Sequence, residues 1–106
     1  MATGLLGQAA LAAATNTTLY TVPATTFTVL GVSLCNRGTT TVSVRVALSA
    51  AGTPTNAEYV EYDAQIGPNG VLERTGIMMN ATKQLVVYAS NGNVSASAFG
   101  IETSTV

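Results

Sequence analysis

From Val42 to Ser49 apolar and polar positions alternate without a break: Val42, Val44, Val46 and Leu48 on one side, Ser43, Arg45, Ala47 and Ser49 on the other. A period of two belongs to a strand with one face in a core and one face wet. The run before it, Phe27 to Asn36, carries Val29, Leu30, Val32 and Leu34 almost continuously. Such a run suits a strand covered on both faces, with a neighbouring chain as the second cover. The polar turn Asn36-Arg37-Gly38 lies between the two, so the pattern predicts a central hairpin of residues 27–36 and 40–50.

The same reading extends along the chain. Thr17 to Val22 is β-branched and aromatic and is stopped by Pro23, which has no N–H to give to a ladder. Residues 51–56 read as a loop. Glu58 to Ile66 alternates, with Val60, Tyr62, Ala64 and Ile66 on one face and Tyr59, Glu61, Asp63 and Gln65 on the other. The tight-turn signal Gly67-Pro68-Asn69-Gly70 leads into a return strand from Val71 to Met78, where Gly76 suits a bulge. Thr82 to Ser90 and Val94 to Glu102 read as two further strands joined by an Asn91-Gly92 hairpin turn. In residues 1–14 Leu5, Leu6 and Leu11 stand among alanines and glycines, and nothing caps a helix, so an extended arm is expected. Its removal would then leave the domain folded. The predicted fold class is all-β: an antiparallel β-sandwich of seven to eight short strands, immunoglobulin-like or jelly-roll. An extended N-terminal arm (1–14) precedes a single domain (15–106). The two cysteines and the tryptophan of an antibody domain are absent.

Composition changes this picture in one respect. Charged residues make up 8% of the chain, against about 25% in an average domain. The apolar fraction is an ordinary 47%, so polar positions are filled by Thr, Ser and Asn. Two exteriors fit that composition: one hidden against other subunits, or a Thr/Ser-rich secreted surface. The four basic residues, Arg37, Arg45, Arg74 and Lys83, are dispersed and the net charge is −1. Nucleic-acid binding needs clustered positive charge, and a membrane surface needs a basic amphipathic helix. Neither is present, so neither is expected as a partner. The N-terminal stretch has no Lys or Arg before its apolar core, which argues against a secretory signal.

Candidate chemistry is sparse. Cys35 is the single cysteine and the chain has no His, so an inert, buried thiol is expected. Glu58, Glu61 and Asp63 fall on one strand, with Glu61 and Asp63 sharing a solvated face. No phosphate loop, Cys/His metal spacing or Ser/His/Asp set occurs, so no enzyme activity, metal or cofactor is expected. Tyr59 could present a sugar-stacking ring, while Tyr20, Tyr62 and Tyr88 read as core or interface rim. Leu5, Leu6, Leu11, Ile77, Met78 and Met79 are the candidate interface residues, with the methionines adaptable in packing.

Five stretches carry a resemblance: Leu6-Gly7-Gln8, Leu19 to Ala24, Cys35 to Gly38, Tyr62-Asp63 with Ile66 to Asn69, and Val87 to Ser90. In them the chain resembles a group of small structural proteins of tailed bacteriophages and prophages. The resemblance implies a non-enzymatic β-sandwich component present in many copies of a virion assembled in the bacterial cytoplasm. Its partners would be copies of itself and other virion proteins, the major capsid protein or tail proteins. It leaves open a capsid decoration or cement protein, which is the first expectation, and a tail, neck, baseplate or fibre component; a glycan-binding adhesion module is a competing reading of another class.

Overall fold

A computed structural model describes residues 3–105. Its eight strands are β1 (Thr3–Ala10), β2 (Thr17–Thr21), β3 (Thr26–Asn36), β4 (Val42–Ser49), β5 (Tyr59–Ile66), β6 (Val71–Met79), β7 (Gln84–Ala89) and β8 (Val94–Ser104). One 3₁₀ turn, Asn56–Glu58, precedes β5. The strands form two four-stranded sheets, ordered β1-β8-β3-β6 and β2-β7-β4-β5, and every ladder within them is antiparallel.

The core fills with the alternating residues of both sheets. Leu30, Val32 and Leu34 of β3 and Val94, Ala96 and Ala98 of β8 meet Val42, Val44 and Val46 of β4 and Leu85 and Val87 of β7. All eleven are 2% exposed or less. Burying such side chains stabilises by about 1.5–3 kcal/mol each. Polar groups inside are fully bonded: among the described residues no buried side-chain nitrogen or oxygen lacks a partner. Asn36 is the most connected of them. Its Nδ2 donates to the carbonyls of Thr40 (2.8 Å), Ile66 (3.1 Å) and Gly67 (3.1 Å), and its Oδ1 accepts from the N–H of Gly38 (2.9 Å).

Several expectations are corrected here. Residues 27–36 and 40–50 are not a hairpin: β3 and β4 lie in opposite sheets. The turns 67–70 and 90–93 likewise carry the chain from one sheet to the other. The one in-sheet connection between successive strands is β4 to β5, through the loop that contains the 3₁₀ turn. Asn, Gly and Pro reverse the chain equally well across the roughly 5 Å between paired strands and the roughly 10 Å between packed sheets. Turn chemistry therefore marks where a strand ends, not which sheet the next one joins.

The N-terminal stretch is extended, but it belongs to the sandwich. Thr3–Ala10 pairs with β8 as an edge strand, and Leu11 is 2% exposed in the core. Met1 and Ala2 lie outside the described residues. An intact domain after removal of this stretch is not expected, since the cut would open β8 and take a leucine from the core.

All four edge strands are irregular, while the two central pairs are regular. Register shifts interrupt β1 on β8, β2 on β7, β6 on β3 and β5 on β4, whereas β3–β8 and β4–β7 run unbroken. The extra residues in β6 include Gly76, whose φ of 71° favours glycine. A bulge twists an edge and spoils it as a template for another strand. Irregularity of this kind at all four edges disfavours the addition of another strand.

Candidate functional site

Two outer faces differ in chemistry. On the first sheet, antiparallel register sets residues of neighbouring strands in rows. Thr3, Ile101, Val29 and Met78 form one row across all four strands. Leu5 and Phe99 form the next, where the Phe99 ring covers Gly31. Gln8, Ser97, Ser33 and Glu73 follow, and then Ala10, Ser95, Cys35 and Val71. Leu5 is 58% exposed, Val29 41%, Met78 69%, Val71 58% and Ile101 56%. These rows contain one charge, Glu73. Exposed apolar residues gathered in this way are a feature of contact surfaces in general.

The candidate interface residues divide accordingly. Leu5 and Met78 lie on this face, Leu6 packs partly against the core, and Leu11, Ile77 and Met79 are inside it. Alternation explains the split of Ile77-Met78-Met79: the outer two point in and the middle one out. Cys35 is half-buried on the outer face rather than in the core, because it follows the inward Leu34. Val29 is also outward and 41% exposed, so among the described residues only Phe99, over Gly31, gives β3 any of the second cover expected for it. Sequence reasoning missed Val29, Val71, Phe99 and Ile101 as surface. The signal was their odd parity against buried even neighbours, which becomes readable once β3 and β8 are known to pair.

On the second sheet a Tyr/Arg cluster stands outward. The Arg45 guanidinium lies 4.4 Å from the ring centroids of both Tyr62 and Tyr88. Its Nε donates to Asp63 Oδ1 at 2.7 Å. The hydrogen bond to the Asp63 carboxylate raises the Arg45 pKa above its ordinary value, so the side chain stays charged. Tyr59 and Tyr62 meet edge to face, with centroids 4.8 Å apart and planes at 84°. With Asn56 they line a shallow depression of about 500 Å³. Tyr62 is 57% exposed.

The expected pairing of Glu61 and Asp63 on one face is corrected by β5 itself. A register shift against β4 intervenes between Glu61 and Ala64, and Asp63 takes a φ of 52°. Asp63 turns to Arg45, while Glu61 bonds Arg74 of β6 at 3.2 Å across the gap between the sheet edges. Glu58 accepts from the backbone N–H of Thr55 (2.8 Å) and of Ala50 (3.1 Å), which hold its pKa below the usual carboxylate range. Lys83 lies 3.9 Å from it. Arg37 donates to the Gly92 carbonyl. All four basic side chains thus have a partner within the chain. Among the described residues no group of three or more His, Cys, Asp or Glu could hold a metal.

Tyr20 of β2 donates to Glu102 of β8, and the Tyr20 and Thr28 hydroxyls are 2.9 Å apart, joining the two sheets at one end. Burial first, and then the Glu102 bond, push the Tyr20 phenol up from 10.0 to about 12. The sign follows from linkage: below pH 10 both states keep the proton and this contribution is whole. Between about 10 and about 12 the unfolded chain loses a proton that the native state retains, so stability falls. Alkaline unfolding should therefore show a falling arm in that window. In Tyr20→Phe that arm should flatten, and the late phenol should vanish from the tyrosinate absorbance titration. An unchanged titration in the variant would refute the assignment.

No family model matches the chain, and no curated protein or solved structure matches it either.

Proposed function

We propose that this chain is a non-enzymatic structural protein of a tailed-phage virion, and specifically a capsid decoration protein that binds through the outer face of its first sheet. The observation that carries the reading is that face: Leu5, Val29, Met78, Phe99 and Ile101 lie together with no charge among them. Bulged edges support it by leaving faces rather than strand ends for assembly. Strand order supports a jelly roll over an immunoglobulin-like sandwich, because six of the seven connections between successive strands change sheet. Double-sheet jelly rolls recur in viral capsid and lectin domains. A fold hosts many functions, so the weight rests on the surface.

A decoration protein stabilises a shell by adding buried apolar area between capsomers. Particles lacking the protein are therefore expected to lose heat and osmotic resistance, and a low-resolution map should place the missing density on the shell. The variant Met78→Glu should fold, since that side chain faces outward, and its occupancy on particles should fall at least about tenfold, because an unpaired charge in a contact is expensive to bury. Normal occupancy of the folded variant would refute this face as the contact. Density on the tail with unchanged shell resistance would exclude decoration.

A further inference from the structure

We infer that the depression lined by Asn56, Tyr59 and Tyr62 is a binding site for a neutral saccharide. The inference does not rest on the virion reading, and the site lies on the other sheet. A pyranose presents a face of C–H bonds, which are attracted to the negative face of an aromatic ring, and hydroxyls that need polar partners around it. The Tyr59 and Tyr62 rings, in edge-to-face contact with each other, supply an aromatic wall to the depression. The exposed Asn56 amide and the tyrosine hydroxyls supply donors and acceptors. A volume of about 500 Å³ is within the range of small-ligand sites.

Two observations make this more than a pair of surface rings. Tyr62 is held in place: Arg45 stacks on it at 4.4 Å, and Arg45 is itself held by Asp63 at 2.7 Å and by Tyr88 at 4.4 Å. A ring already immobilised loses little freedom when a ligand arrives. Charge sets the ligand class. Asp63 already neutralises Arg45, the cation beside the rings, so the site offers an anionic sugar no unpaired cation. A proline-rich peptide would want an aromatic groove running along the surface; this depression is bounded by three residues.

The test is an amide NMR titration of the full chain with maltose, lactose and chitobiose, and in parallel with sialyllactose and a proline-rich peptide. The expected result is saturable shifts confined to residues 56–63 with at least one neutral disaccharide, at a Kd of about 1 mM or tighter. Tyr62→Ala should weaken that binding at least about tenfold, Asn56→Ala should weaken it less, and Tyr62→Phe should largely retain it. Both Asn56 and Tyr62 are exposed, so the amide spectrum elsewhere should not move. Absence of saturable shifts with every neutral probe overturns the inference. So does saturation that Tyr62→Ala and Asn56→Ala leave unchanged, tighter binding of sialyllactose than of lactose, or saturation by the peptide alone.

Discussion

Asn36→Ala is expected to destabilise the sandwich by about 3–5 kcal/mol. The side chain is 0% exposed and ties together two of the crossings between sheets. One amide serves the carbonyl of Thr40 in the β3–β4 connection and those of Ile66 and Gly67 in the β5–β6 connection, and it accepts from Gly38. Its backbone N–H adds a bond to the Gly70 carbonyl at 2.9 Å. Alanine keeps that last bond and removes the other four, leaving three acceptors and one donor to find water or go without. A buried polar group left unsatisfied costs about 1–3 kcal/mol, and partial access of water at Gly67 lowers the total. Asn36→Asp separates polarity from geometry. It is nearly isosteric, but it replaces two donors by an acceptor facing three carbonyl oxygens. It should be at least as damaging as alanine at neutral pH and milder in acid, where the carboxyl regains a proton. Denaturant unfolding of the three proteins decides the matter. A loss under about 1 kcal/mol for Asn36→Ala would mean that the crossings are held by something else.

Gly100→Ala should do more damage still, leaving little folded protein at room temperature. A Cβ on Gly100 would stand 2.2 Å from the Val29 carbonyl oxygen and 2.7 Å from Leu30 Cα. Both are backbone atoms of β3, and β8 is flanked by β3 on one side and β1 on the other. Neither neighbour can retreat without breaking a ladder, so the clash cannot be relieved by a rotamer change. The cost should exceed about 3 kcal/mol, the upper end for ordinary overpacking. Gly67→Ala is the control, because no atom lies within 4 Å of a Cβ there and no left-handed φ is required. It should shift stability by less than about 1 kcal/mol. Equal effects at the two sites would show that glycine's flexibility, and not the close approach of β3, explains Gly100.

These two residues also show how much could be read in advance. Asn36 was visible as a turn residue, yet its partners at Ile66 and Gly67 lie 30 residues or more along the chain. Gly100 was visible as a small residue in a thin strand, but the backbone it admits belongs to β3. Arg45 read as the wet side of an alternating strand and is on the outer face. Its stacking on Tyr62 and Tyr88 depends on a bulge in β5 and on the β4–β7 pairing. Tyr59 was a candidate sugar contact from the start, whereas Tyr62, the more exposed ring of the pair, was assigned to core or rim because β5 was read without its bulges. Met78 was found among the interface candidates, but Ile77 and Met79 came with it although they face inward.

The amino-acid sequence by itself determined that the chain forms strands, roughly where each begins and ends, and that Val42, Val44 and Val46 of β4 enter a core, although Ala47 and Ser49, read as the wet side, are buried as well. Those are local facts, set by a side-chain period of two and by residues that reverse the backbone. Only the tertiary structure decided which strands are neighbours, that the presumed hairpins are crossings between sheets, where the edges bulge, and which outward residues gather into an apolar face or an aromatic depression. The physical reason is that alternation orients a strand relative to its own sheet and carries no record of the partner. Pairing is chosen by contacts between residues far apart along the chain, where the closure of both sheets over one core outweighs the preference of any single turn.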